Sequence, residues 1–456
     1  MNNQLDSSLI AGIPGIIALI VCMRRGPERA FVDVYLPTLM LLPDSYHWMI
    51  TGHLSFNQTA IIPIAVFVLF RSWRDWHWSF CDLLVITYVA LQAVSQYINV
   101  SYWDAQNVAL VAICNVIFPY VVAKQTLAGE EFFAEISKRI VVCLTAVAII
   151  SVYEFRMGRN PFDMILMPFF PGQSSAIWQG RYGFLRPAGP YGHAITAATI
   201  FAVGYRLSRW PDWVPHGQDG MHFLGIGAKR FCRAWLVLGA FMTLSRGPWL
   251  GAALGAIVVW LGRARNRKRA MVIFTVLILL VGIPLFEAAK SYVWIERAQA
   301  GASGSMQETA AYRHELLEKY IAVVEERPDW GWGRSAFPAI DGLRSVDNNF
   351  LLLALSYGEY ALGVFVLMLL WLMGRQAGVC RAHDSTTFQG AVALTSLACV
   401  VIITVSITTT ALLWTSVQIL FLTAGWGEAI ASRQPLRVLE KVQRSSLGLR
   451  FSRVMV

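Results

Sequence analysis

Residues 248–287 read PWLGAALGAIVVWLG, then RARNRKR, then AMVIFTVLILLVGIPLFE: an apolar run, a seven-residue basic link and a second apolar run. A membrane-spanning helix takes about 20 mainly apolar residues, so each flanking run reads as a span. The link carries Arg263, Arg265, Arg267, Lys268 and Arg269 and no acid. Excess Lys and Arg in a short link marks the cytoplasmic side. Working outward from this fixed point, further apolar runs fall at 8–23, 31–43, 58–70, 81–99, 105–124, 139–156, 188–207, 232–246, 348–373, 388–407 and 409–430. The links at 24–30, 71–80, 205–231 and 374–387 and the basic tail 431–456 then lie inside, and the N-terminus outside. The run 31–43 is short; if it is re-entrant, twelve spans replace thirteen and the N-tail moves inside. The fold class expected is an all-α integral membrane protein with 12–13 transmembrane helices.

Composition agrees. Of 456 residues, 56% are hydrophobic and only 14% charged, with a mean hydropathy of +0.51. Soluble domains run near a quarter charged. No stretch resembles a separate soluble domain, so 1–456 reads as one polytopic membrane domain. The net charge of +10 resides in the inner links, which argues against nucleic acid as a partner. The first apolar run lacks a basic leader, which reads against a cleavable signal peptide. The seven cysteines have no CxxC or CxxH spacing and read as small buried hydrophobes, with neither a disulfide framework nor a metal site expected. Trp73, Trp76 and Trp78 beside Arg71 and Arg74 read as an interfacial aromatic anchor.

Two outside loops are long, 157–187 and 288–347. The second carries nine acids and seven Lys or Arg. Its stretch 307–326 has Leu317, Tyr320, Ile321 and Val324 at spacings of three and four, an amphipathic helix that Pro328 would end.

Three clusters carry chemistry. Arg181 and Arg186, followed by Pro, Gly and His193, precede the span at 188–207; guanidinium chelates phosphate oxygens as a fork, although headgroup contact would also account for these arginines. Ser245-Arg246-Gly247 joins two spans with almost no connector. Arg246 is therefore costly unless it is paired or meets a ligand, and the ligand reading is favoured. In the large loop, Arg313 and His314 open the helix, and Glu326-Arg-Pro-Asp-Trp-Gly331-Trp-Gly333 follows it. Alternating glycines allow a tight turn whose amides can face a ligand. Asp347 and Asn348 stand at the start of the next span, where a cap and a catalytic carboxylate fit Asp347 equally.

In this order and spacing, from about residue 140 to 375, the chain resembles the O-antigen ligase and O-antigen polymerase (Wzy-type) superfamily of bacterial membrane glycosyltransferases. The resemblance implies a GT-C-like helical fold in the bacterial inner membrane with a periplasmic site. It implies a polyprenyl-diphosphate-linked glycan as donor, a saccharide hydroxyl as acceptor, direct inverting attack, and no metal or cofactor. Arg246 and Arg313 with Asp347 are the catalytic candidates; Arg181, Arg186, Gly331, Gly333 and Asn348 are the binding candidates. The family's loop ends on His-Asn, and here Asp347 takes the histidine's place. A carboxylate beside an acceptor hydroxyl can serve as general base. That departure tilts the reading to an exopolysaccharide or O-unit polymerase over a ligase, with other assembly proteins as further partners. A lipid-linked oligosaccharide transporter and a non-catalytic assembly scaffold are the rival readings. Against the transporter, no paired halves with interrupted helices and no acids or bases buried mid-span in several helices are evident.

Overall fold

The computed structural model of the chain describes residues 9–47, 54–72, 76–127, 129–170, 172–173, 180–181, 183–215, 225–266, 269, 272, 305–334, 336–340, 345–412 and 414–432, the side chains of 72, 226, 305–314 and 414 apart. It is an all-α bundle with a single two-stranded hairpin among the described residues. The helices in chain order are α1 (Ile13–Arg25); α2, formed by Pro27–Ala30, a π turn Phe31–Tyr35 and Leu36–Leu41; α3 (Phe56–Ser72); and α4 (Phe80–Asn99). Then come α5 (Tyr102–Thr126, with a π turn at Ile113–Ile117), α6 (Glu130–Met157), α7 (Pro161–Leu166) and the strands β1 (Gly180–Arg181) and β2 (Phe184–Leu185). After the hairpin follow α8 (Ala194–Leu207), α9 (Ile226–Met242), α10 (Arg246–Arg263), α11 (Ser305–Glu326), α12 (Asn349–Ala382), α13 (Phe388–Ile407) and α14 (Trp414–Ser432).

Among the described residues, α4, α5, α6, α12 and α13 are long and apolar enough to cross a membrane. Every other apolar run within the described residues also falls on a helix, shorter or less apolar than those five. The run 31–43 falls on α2, whose Phe31, Tyr35, Leu36 and Leu39 are fully buried, so this helix runs inside the bundle. The run 270–287 and most of the tail 431–456 lie outside the described residues.

Close packing comes from small residues. Gly247, Gly251 and Gly255 recur every fourth position on one face of α10, and a Cβ at Gly251 would come within 2.8 Å of the Ile402 carbonyl oxygen on α13. Small residues at this spacing let two helix backbones approach closely in lipid, where the hydrophobic effect does not drive helices together. Six of the seven cysteines are buried in helices.

The basic end of the bundle is held by a buried ion pair. Lys124 Nζ lies 2.7 Å from Asp82 Oδ2, with side chains 4% and 2% exposed. Asp82 also completes a capping box with Ser79 at the start of α4. Trp76 corrects part of the aromatic-anchor reading: its Nε1 donates to Asp82 at 3.2 Å, and Lys124 stands 4.8 Å above its ring. Trp78 is exposed, and Trp73 lies outside the described residues. Buried charge thus exists in this bundle, but Asp82 and Lys124 lie at helix ends and pair with each other. Charge withdrawn from water is tolerated when it is partnered in this way.

The amphipathic loop helix is α11, and it ends at Glu326, ahead of Pro328. Its buried face differs from the expected one. Leu316, Tyr320, Val323 and Val324 are buried against Leu351 and Leu355 of α12, while Leu317 and Ile321 are exposed. Two adjacent stripes are apolar, and only docking on α12 selects between them.

The turn after α11 plugs a break in α12. Gly358 has φ of +82° and interrupts the helix, freeing backbone groups on either side. Trp332 N donates to Leu355 O at 2.8 Å, Gly333 N to Ser356 O at 2.9 Å, and Glu359 N to Pro328 O at 2.6 Å. Orphaned helix groups are costly when buried, and this turn satisfies three of them.

Candidate active site

The hairpin β1–β2 leans on α6 through Phe155 and Phe184, whose rings stack 4.8 Å apart at 6°. Beyond it, the Pro-Ala-Gly-Pro turn is fixed to α6. The buried Glu154 carboxylate accepts from Ala188 N at 3.0 Å and Gly189 N at 2.9 Å, and Asn160 Nδ2 donates to Gly189 O at 2.8 Å. A 3-10 turn, Gly189–Tyr191, precedes α8, so the span expected from 188 becomes helical only at Ala194. His193 is its cap: Nδ1 accepts from Ile195 N at 3.1 Å.

The connector between α9 and α10 faces this cradle. Leu244 has φ of +49°, the one non-glycine in the left-handed region among the described residues. Such a conformation costs roughly 1–3 kcal/mol and persists where the surroundings enforce it. Here the carbonyls of the turn meet the two arginines. Arg181 Nη1 donates to Leu244 O at 2.7 Å, and the buried Arg186 donates from Nε to Thr243 O at 2.9 Å and from Nη2 to Ser245 Oγ at 2.8 Å. Arg246, exposed, is the first residue of α10. Gly247 allows contact with the link after α13, since a Cβ there would collide with Thr409 Oγ1.

These elements enclose a polar cavity of about 330 Å³ lined by Arg181, Arg186, Arg246, His193, Asp347 and Thr409, together with Ser245 and glycines. Three guanidiniums and one carboxylate from separate parts of the chain converge there. The cavity lies at the end of the bundle opposite Arg263, because α10 runs from one to the other. Burial, and then the Arg186 guanidinium, hold the His193 imidazole down to about 4, against the opposing pull of Asp347. His193 is therefore neutral at physiological pH. With Nδ1 accepting from the Ile195 amide, its proton sits on Nε2, which makes it a hydrogen-bond donor.

Asp347 accepts from Ser345 Oγ at 2.8 Å and is not the cap of α12. That cap is Asn348, whose Oδ1 accepts from Phe350 N at 3.0 Å and Leu351 N at 3.3 Å. Asn348 lines a separate apolar groove against α11 and does not line the charged cavity. Gly331 and Gly333 depart from the ligand-facing reading: Gly331 N donates to Arg327 O at 3.1 Å and Gly333 N to Ser356 O, so their positive φ values serve the plug into α12. The side chains of Arg313 and His314 lie outside the described residues. His193, which the sequence placed only as a neighbour of Arg186 ahead of the span, closes the same cluster. Thr409 carries no local signal, because it reaches the cavity from a link that is distant in the chain.

Residues 231–366 match the model of a protein family described as O-antigen ligase. The chain carries a domain of the O-antigen ligase family. The matched stretch holds Arg246, Asp347, α11 and the plugged break of α12. A search of the curated proteins finds no match to the chain. At family level, this match supports a membrane glycosyltransferase of O-antigen ligase type, and that family implies a lipid-linked glycan as donor and a saccharide as acceptor.

Proposed function

We propose that the protein transfers a polyprenyl-diphosphate-linked glycan to a saccharide hydroxyl at the outer face of the bacterial inner membrane, as a polymerase in exopolysaccharide or O-unit assembly. The observation that carries this reading is the convergence of Arg181, Arg186, Arg246 and Asp347 on one cavity. The acceptor oxygen attacks the anomeric carbon, the bond from that carbon to the diphosphate oxygen breaks, and its electron pair leaves with the diphosphate. Attack from the opposite face inverts the centre. Fixed guanidiniums, partly screened from water, neutralise the charge that develops on the leaving group without a metal. Arg181 and Arg186 are already oriented by the carbonyls of residues 243 and 244, so little reorganisation accompanies the reaction; Arg313 is retained as a fourth member of the clamp.

Asp347 takes the acceptor proton. It suits this task better than His193, whose only lone-pair nitrogen is engaged by the Ile195 amide. His193 lines the cavity as a neutral imidazole. The substitution of Asp for the family's His supports the polymerase reading over the ligase one.

The test is glycan analysis of a deletion strain complemented with wild type, Arg246→Ala or Asp347→Asn, with membrane levels checked by blot. Transfer is expected to fall by about 10²–10³-fold in each, the usual scale for losing one electrostatic or proton-transfer partner, with single lipid-linked units accumulating. Accumulation of long lipid-linked chains would reassign the protein as a ligase. Normal polymer in both variants would refute the site.

A further inference from the structure

A second cavity, of about 290 Å³, lies across the start of α12 from the first. It is lined by Tyr88 and Gln92 of α4, Asn115 of α5, Asn349 and Tyr357 of α12, and Arg334 at its rim. The same two segments of chain, around residues 347–349 and 409–412, contribute to both cavities. Asp347 faces the charged cavity and Asn349, two residues on, lines the second; Thr409 lines the first and Leu412 the second.

Two carboxamides in the second cavity are fixed with their donors uncommitted. Asn349, 4% exposed, accepts from Leu412 N at 2.9 Å through Oδ1, and its buried Nδ2 has no partner among the described residues. Asn115 Oδ1 accepts from Gln418 Nε2 at 2.8 Å and Gln58 Nε2 at 3.2 Å, which settles which way that amide faces. Asn115 sits in the π turn of α5, and such turns recur at functional sites. Gln418 is held in turn by Tyr35 Oη at 2.8 Å, from the π turn of α2. A buried, unsatisfied donor calls for an occupant. Among the described residues, no carboxylate or lysine lines this space. Oriented amide donors beside two tyrosine rings, with a single arginine at the mouth, suit the acceptor oxygens and C–H faces of a sugar. The volume stands at the lower end of the roughly 300–1,000 Å³ of small-molecule sites.

We propose that this cavity is a saccharide subsite, in which Asn115 and Asn349 hold one sugar unit of the glycan while the reacting unit lies in the charged cavity. The inference rests on the glycan-transfer reading. The sugar belongs either to the donor or to the acceptor, and the chemistry of the subsite is the same for both.

The test uses the full chain in lipid nanodiscs and two probes. One is the oligosaccharide released by mild acid from the lipid-linked glycan of the producing cells; the other is inorganic pyrophosphate. Val111→Trp, which fills the cavity from its wall, and Arg334→Ala, at its exposed rim, are expected to weaken oligosaccharide binding at least tenfold by saturation-transfer NMR. Pyrophosphate binding should be unchanged in both. Arg246→Ala should show the reverse pattern. In turnover assays, a raised KM for the lipid-linked donor assigns the sugar to the donor, and a raised KM for the acceptor assigns it to the acceptor; either supports the subsite. Wild-type protein that does not bind the oligosaccharide, or variants that bind it as wild type does, would overturn the subsite and leave a water-filled cavity. A protein that binds the oligosaccharide here yet transfers no glycan would overturn the proposed function while the subsite stands.

Discussion

His193 shows how a single residue acquires a role from its partners. Its Nδ1 is engaged in capping α8, and burial with the Arg186 guanidinium lowers its pKa to about 4. The unfolded chain, at the ordinary value of 6.5, binds the proton first on acidification. Stability contributed by the neutral imidazole is therefore complete above about pH 6.5 and is lost as pH falls toward about 4. Between pH 5.5 and 8, the pH profile of transfer by wild type and by His193→Asn, which keeps a capping side chain, should have the same shape, with no inflexion near 6.5. An inflexion there in wild type that is absent in the variant would show that His193 titrates as a base and would reopen the assignment of Asp347. In the sequence, the two readings of Asp347 could not be separated, because Asp347 and Asn348 are adjacent and both can cap. Only the backbone geometry assigns the cap to Asn348 and leaves Asp347 to the cavity.

At the scale of elements, the Glu-Arg-Pro-x-x-Gly-x-Gly stretch is a plug for the break in α12. A Cβ at Gly358 would collide with the Asp329 carbonyl oxygen, and one at Gly331 would come within 2.7 Å of the Gly358 amide. Both glycines have positive φ, so a side chain meets backbone strain as well as a clash. Gly358→Ala is expected to destabilise the protein by at least about 1–3 kcal/mol, the scale of the backbone term alone, read as an earlier loss of monodisperse protein on heating in detergent. Gly363→Ala in the same helix, where a Cβ meets nothing within 4 Å, is the control and should melt as wild type does. Equal melting of the two variants would refute the plug. The spacing of the two glycines was visible in the sequence, and a tight turn was the correct reading. That the amides serve α12 instead of a ligand was not visible, because the break at Gly358 lies 25 residues or more away from them.

Across the whole molecule, the site lies at one end of the bundle and the basic link 263–269 begins at the other. α10 joins them, from Arg246 to Arg263. The native cysteines are buried except for the half-buried Cys380, so introduced thiols report sidedness. In intact spheroplasts, Phe184→Cys is expected to react with a membrane-impermeant maleimide, whereas Arg265→Cys should react only after lysis. The opposite pattern would invert the topology and exclude an outward-facing site.

Hydropathy and the placing of arginine and lysine determined the helical membrane class and nearly every helix by themselves, because lipid requires each spanning segment to satisfy its own backbone and to carry its own apolar surface. The order of the Arg181, Arg186, Arg246 and Asp347 clusters was legible for the same reason: charge between apolar runs is conspicuous. Which face of α11 is buried, which residue caps α12, and the meeting of Thr409 and His193 with the arginines were decided only by the tertiary structure. Each depends on contacts between segments remote in sequence, where local preference is evenly divided and packing alone makes the choice.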